Sequence, residues 1–124
     1  MTLRVEEYIR ADGSIPYRTW FDGLDAQAAA RVATGMLRMA MGNTSNVKWF
    51  EGIGEYVLDW GPGYRVYLAK DGAELILLYG GGTKRHQEKD IVRAKALHAE
   101  YKARKAATRK ESRAPDSEFR GKKR

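Results

Sequence analysis

Arg65, Tyr67, Lys84, Arg85 and His86 are the residues of this chain whose types and spacing could do chemistry. A guanidinium is always charged and grips phosphate oxygens through two parallel N–H bonds. Lysine adds a point charge, and histidine is the one side chain whose ordinary pKa lies near ~6.5, so it suits proton transfer close to neutrality. Such a set could hold a phosphate and move a proton without a metal. A plainer reading is equally concrete. Arg65 could form a cross-strand ion pair with Asp59, worth roughly 0.2–1 kcal/mol. Tyr67 could be packing, and Lys84-Arg85-His86 a solvated helix start. Cations at a helix N-terminus oppose the macrodipole, and that conflict favours an anion nearby.

Other constellations are missing from the sequence. There is no cysteine, so disulfides and thiolate metal sites are excluded. His86 and His98 lack zinc-ligand spacing, no Gly-x-Ser-x-Gly occurs, and the acidic residues form no cluster of the kind two-metal nucleases use. Gly80-Gly81-Gly82 lacks the spacing of a phosphate-binding fingerprint. No metal and no cofactor are therefore expected. The N-terminus has no export-signal architecture and no apolar run approaches the ~18 residues of a membrane span, so the expectation is a soluble, cytoplasmic protein with no membrane partner.

Charge is unevenly placed. Residues 1–100 carry 13 Lys+Arg and 13 Asp+Glu, while residues 101–124 carry 10 and 3, so the net charge of +7 belongs to the C-terminal segment. The body is neutral on average, and any nucleic-acid surface on it must be a local cluster. From this the chain divides into one domain over residues 1–107 and a basic tail over 108–124, whose composition predicts disorder.

The elements that must position the candidate residues read as follows. Residues 2–10 alternate as a first strand at a sheet edge or beside the later strands. Pro16 suits the first turn of a helix over Tyr17 to Leu24, and Asp25 caps a second helix from Ala26 to about Met41. Val47 to Phe50 is an extended piece. From Glu55 onward, three apolar runs separated by Gly61-Pro62-Gly63 and Asp71-Gly72 predict an antiparallel meander that the three glycines at 80–82 release. A two-residue loop at Asp71-Gly72 pairs Val66 with Leu77, Leu68 with Leu75 and Tyr64 with Tyr79. A three-residue loop at Gly61 to Gly63 sets Asp59 opposite Arg65 and Val57 opposite Tyr67. Arg65 and Tyr67 then share a mixed face, and one residue of slip would exchange the faces. A last helix runs from His86 to about Arg104. The fold class is α+β: an antiparallel meander with an N-terminal helical hairpin and a C-terminal helix, order βααβββα, with the helices on one face.

At DWGPGYRVYLAKDGAELILLYGGGTKRHQEKDIVRAKAL the chain resembles the RelE/ParE toxin superfamily, in particular its HigB-like, phage-derived addiction module killer protein branch. That branch has a Gly-Pro-Gly-Tyr-Arg-Val-Tyr strand, an apolar strand ending in Gly-Gly, and Lys-Lys-x-Gln-x-x-Asp-Ile opening the last helix. The counterparts here are Gly61 to Tyr67, Leu75 to Gly82, and Lys84 to Ile91, and the resemblance spans about residues 1–105. The segment from Thr108 departs from the compact family pattern, as does the Arg85-His86 pair.

The resemblance implies a RelE-like fold and the toxin of a type II toxin–antitoxin pair that cleaves mRNA, usually on the ribosome, with neither metal nor cofactor. Growth arrest through inhibited translation would follow. It implies that Arg65 is the arginine of the central strand, with Lys84 and Arg85 matching the basic residues after the last strand. His86 has no family counterpart and enters as the proton-transfer candidate on its chemistry alone. Lys48, Tyr67 and Lys89 complete the expected set as nucleic-acid contacts. The implied partners are a cognate antitoxin of helix-turn-helix type, mRNA with the ribosome, and operator DNA through the antitoxin complex alone. The ParE-like side of the superfamily inhibits DNA gyrase instead, and a degenerate toxin would retain antitoxin binding and co-repression only. Arg65→Ala is expected to abolish nuclease toxicity with the fold intact.

Overall fold

A computed structural model describes residues 1–122, with side chains through Lys110. The order is β1 (Arg4–Glu7), α1 (Pro16–Asp22), α2 (Ala26–Ala40), β2 (Val47–Phe50), β3 (Ile53–Leu58), β4 (Tyr64–Asp71), β5 (Leu75–Thr83), a 3-10 turn (Lys84–His86) and α3 (Gln87–Lys122). The protein is α+β, with a five-stranded mixed sheet in the order β1-β5-β4-β3-β2. Four strands form the antiparallel meander, and β1 lies parallel to β5 at one edge.

Local chemistry explains the helices before β2. Pro16 opens α1, where its missing N–H costs nothing. The Asp25 carboxylate accepts from the Ala28 amide at 2.8 Å and caps α2. The extended piece at Val47 to Phe50 proves to be a full strand, so the meander has one strand more than the sequence predicts. Glu51 and Gly52 turn it back with φ of 49° and 89°, the two positive values that a two-residue hairpin loop requires.

Both loop lengths in the rest of the meander differ from expectation. Asp71 stays in β4, paired with Leu75, so the loop is Gly72-Ala73-Glu74. Its carboxylate is held by Tyr101 and by Lys105, the latter at 2.7 Å, so α3 keeps it out of the turn. From Leu68 to Asp71 the register therefore shifts by three residues, an odd step, and a bulge between Tyr67 and Leu68 adds one more for the pairs beyond it. Leu68 faces Leu78 instead of Leu75, Val66 faces Gly81 instead of Leu77, and Tyr64 faces Thr83 instead of Tyr79. Between β3 and β4 the loop spans residues 59–63, which sets Val57 opposite Arg65 and Glu55 opposite Tyr67. This second shift is even, so the odd-numbered residues of β3 stay on the face that Arg65 and Tyr67 share as alternate residues of one strand.

The odd shift decides which side chains share a layer. Val66, Leu68, Ile76 and Leu78 meet Tyr17 of α1 and Val32, Met36 and Met39 of α2. Tyr67, Ala69, Leu77 and Tyr79 face the opposite way and pack on Ala94 and Leu97 of α3. Helices thus cover both faces of the sheet, correcting the one-sided arrangement. The unbroken run Leu75-Ile76-Leu77-Leu78-Tyr79 is what a strand buried on both faces requires.

The glycines at 80–82 remain inside β5, paired with Tyr67, Val66 and Arg65, and do not release the chain. Close approach explains two of them. A Cβ on Gly81 would stand 2.5 Å from the Trp20 ring of α1, and one on Gly82 would stand 1.9 Å from the Asp90 carboxylate of α3. α3 also continues to Lys122, beyond the expected end near Arg104 and through residues assigned to a disordered tail. That segment is rich in Ala, Arg, Lys and Glu, all good helix formers. The tail's last two residues, 123 and 124, lie outside the described part.

Candidate functional site

Gly63 is where the strand arginine and the cationic turn meet. Its φ of 76° favours glycine, and a Cβ there would stand 3.0 Å from Arg65 Nη1 and 3.3 Å from Lys84 Cβ. Its carbonyl accepts from Arg65 Nη1 at 2.9 Å and from the Lys84 backbone amide at 2.9 Å. One carbonyl therefore ties the loop between β3 and β4, the β4 arginine and the start of the 3-10 turn. Sequence separation conceals this junction; strand pairing of Tyr64 with Thr83 creates it.

Behind Arg65 sits a buried carboxylate. Glu55 on β3 is 1% exposed and accepts from the Tyr67 hydroxyl at 3.0 Å and from Gln87 Nε2 at 2.6 Å. Arg65 Nε stands 3.9 Å from the same Glu55 oxygen and is buried without a hydrogen-bond partner. The Arg65 side chain is 12% exposed. Glu55 replaces Asp59 as the carboxylate beside Arg65, and Asp59 is exposed. Burial, then the charge of Glu55, pushes the Tyr67 hydroxyl well above its ordinary range.

The remaining predicted residues distribute unevenly. Lys84, Arg85 and His86 are exposed in the 3-10 turn, lining with Lys89 a hollow of about 440 Å³. Lys48 is exposed on β2 directly opposite Glu55, in the row that continues to Tyr67. Tyr67 is 1% exposed and offers no face to a base, because α3 packs over its side of β4 and Glu55 accepts from its hydroxyl. It is a core residue, correcting the expectation of a nucleic-acid contact. Tyr64 is half-buried and stacks on Trp60 at 5.9 Å, and Arg31 lies 4.4 Å over the same indole.

Three residues with polar roles here were given no site role from the sequence: Glu55, Gln87 and Asp90. Burial raises the Asp90 carboxyl above the usual range, while Arg93, His86 and Lys89 oppose the shift. Asp90 also borders a cavity of about 410 Å³ lined by Trp20, Tyr79, Gly81 and Arg93. Period-2 spacing puts Glu55 on the face of Arg65, but its place beside Tyr67 depends on a loop two residues longer than assumed. Among the described residues no three His, Cys, Asp or Glu side chains converge as a metal site.

Chemically, the arrangement can receive an anion. An arginine backed by a carboxylate, an exposed lysine whose backbone amide shares that arginine's carbonyl, and an exposed histidine two residues on are all carried by a sheet packed on both faces. No family model matches the sequence, and no solved structure matches it. An uncharacterized protein of Haemophilus influenzae is 35% identical over 94 residues, covering 74% of this chain and 95% of the relative. The chain belongs to the family of that protein. Among the described residues no helix is long and apolar enough to cross a membrane.

Proposed function

We propose that this chain is the toxin of a type II toxin–antitoxin pair, a metal-independent endoribonuclease that cuts mRNA on the ribosome. The observation that carries the reading is the Gly63 carbonyl, which accepts from Arg65 Nη1 and from the Lys84 backbone amide and so sets the arginine beside the turn that exposes Lys84, Arg85 and His86. The resemblance to the RelE/ParE superfamily adds the substrate class, with the sheet read as a RelE-like meander extended by β2. A cognate helix-turn-helix antitoxin would mask the cationic turn and carry the complex to operator DNA.

In this reaction the RNA 2′-oxygen attacks the adjacent phosphorus, the 2′-O–P bond forms, and the P–O5′ bond breaks. A base takes the 2′-hydroxyl proton and an acid returns one to the leaving 5′-oxygen. His86 is assigned one of these transfers. Arg65 and Lys84 stabilise charge on the phosphorane oxygens, and removal of one such donor typically costs about 10²–10³ in rate. Arg85, Lys89 and Lys48 hold flanking phosphates.

The test is primer-extension mapping of cellular mRNA after brief induction without antitoxin, for the wild type, Arg65→Lys and Lys84→Ala. Arg65→Lys retains a cation beside Glu55 while removing the fork, so lost cleavage is separated from lost fold. New ends within coding regions, at least about tenfold fewer in both variants, are expected. Growth arrest with intact mRNA would move the assignment to inhibition of gyrase or another target, and neither arrest nor cleavage would sink the toxin reading.

A further inference from the structure

Glu55 is the most buried ionisable carboxylate among the described residues, and the proposed chemistry does not use it. Burying a carboxylate costs several kcal/mol unless partners compensate, and a well-packed apolar residue generally serves a core as well or better. Stability therefore gives no reason for a charge here. The reason lies in where its partners lead. Arg65 arrives from β4 and places Nε 3.9 Å from Glu55 Oε2, while its Nη1 donates to Gly63 at 2.9 Å. Gln87 arrives from the first turn of α3, directly after Lys84-Arg85-His86, and donates to the same oxygen at 2.6 Å. Tyr67 donates from the neighbouring strand at 3.0 Å to the same oxygen.

We propose that Glu55 is a positioning residue that sets both halves of the anion site: the Arg65 guanidinium through charge, and the Lys84–His86 turn through Gln87. This rests on the nuclease reading for its activity arm, and on geometry alone for its effect on Arg65. The guanidinium is held between a carbonyl on one side and a carboxylate on the other. Its Nε finds no acceptor within hydrogen-bond distance, so Glu55 restrains it by charge. The turn is fixed at its first residue by the Gly63 carbonyl and just past its last by Gln87, which leaves His86 little freedom relative to Arg65. Glu55 itself is too buried to meet a substrate, so it acts through these two neighbours.

The informative substitution in the full chain is Glu55→Gln, which keeps size and an acceptor for Tyr67 and Gln87 but removes the charge. Two quantities are read. One is single-turnover cleavage of ribosome-bound mRNA, beside ribosome affinity measured by co-sedimentation. The other is the Nε–H resonance of Arg65 by NMR, assigned by its loss in Arg65→Lys. Cleavage is expected to fall about 10- to 100-fold at unchanged ribosome affinity, as a small misplacement of catalytic groups does. The Arg65 resonance should exchange slowly in the wild type, where Nε is buried, and merge with those of exposed arginines in Glu55→Gln. Wild-type cleavage with an intact resonance would overturn the proposal, as would parallel losses of cleavage and binding that track the folded fraction. If the wild-type protein cuts no RNA, the nuclease reading fails while the resonance still decides the role of Glu55. Should Glu55→Gln not fold, Gln87→Met tests the second arm. Reduced cleavage with the Arg65 resonance preserved supports the proposal, and unchanged cleavage overturns it.

Discussion

Gly81→Ala should be among the most damaging single-methyl additions to this protein. The new Cβ would lie 2.5, 2.5 and 2.6 Å from three atoms of the Trp20 ring, well inside van der Waals contact. A rigid indole cannot bend a terminal atom aside, and Trp20 is packed against Tyr17 at 5.9 Å in the core beneath α1. The ring must move by about 1 Å, taking α1 with it, and overpacking of this sort costs about 1–3 kcal/mol. Alanine recovers ~0.5 kcal/mol or more of backbone entropy in a strand. The net loss is then about 1.5 kcal/mol, which for a unit of this length lowers Tm by about 6 °C. Gly82→Ala makes a nominally worse contact, 1.9 Å to Asp90, yet the obstacle is a short carboxylate arm that can rotate, so its loss should be smaller. Gly23→Ala, whose Cβ would make an ordinary 3.5 Å contact, serves as the control and should change stability by less than about 0.5 kcal/mol. Thermal melts by circular dichroism rank the three. A Gly81→Ala protein melting within about 2 °C of wild type would refute the steric account. So would a Trp20→Leu background in which Gly81→Ala remains as costly, since the two substitutions should couple strongly.

Arg65→Ala should destabilise the fold by about 3 kcal/mol, because it strips the buried Glu55 of its cation; Arg65→Lys should lose less than half of that, and urea denaturation checks both. The sequence-based expectation that alanine leaves the fold intact is therefore revised. Acid sensitivity should also appear through His98, whose pKa is lowered by burial and by Lys102, with Asp71 opposing; its ring meets the Tyr79 hydroxyl at 2.7 Å and stacks near Tyr101. The unfolded chain binds a proton at this residue below about 6.5, while the folded chain resists it. This contribution is complete above about pH 6.5 and is lost as pH falls toward the depressed folded value. Denaturation midpoints at paired pH values should show that loss in the wild type and a flatter profile in His98→Gln.

Local sequence chemistry determined a good part of this protein. Asp25 capping α2, Pro16 opening α1 and the glycine turns at 61–63 and 72 all act within a few residues, so their outcome is readable without a fold. The shared face of Arg65 and Tyr67 was legible for a similar reason: residues two apart on one strand point the same way whatever the loop before them does. Registers and layers were decided elsewhere. Asp71 looks like a turn residue in sequence, yet Tyr101 and Lys105, 30 and 34 positions away, hold it in β4 and shift β5 by an odd step. That step places Leu77 and Tyr79 under α3 and requires helices on both faces of the sheet. Tyr67 is buried, and Glu55, Arg65 and Gln87 are gathered from three separate elements, by the pairing of β3 with β4 and the packing of α3 on that face. A local signal has only its neighbours to satisfy, whereas a register is chosen by the total packing of two faces, and no stretch of sequence holds that sum.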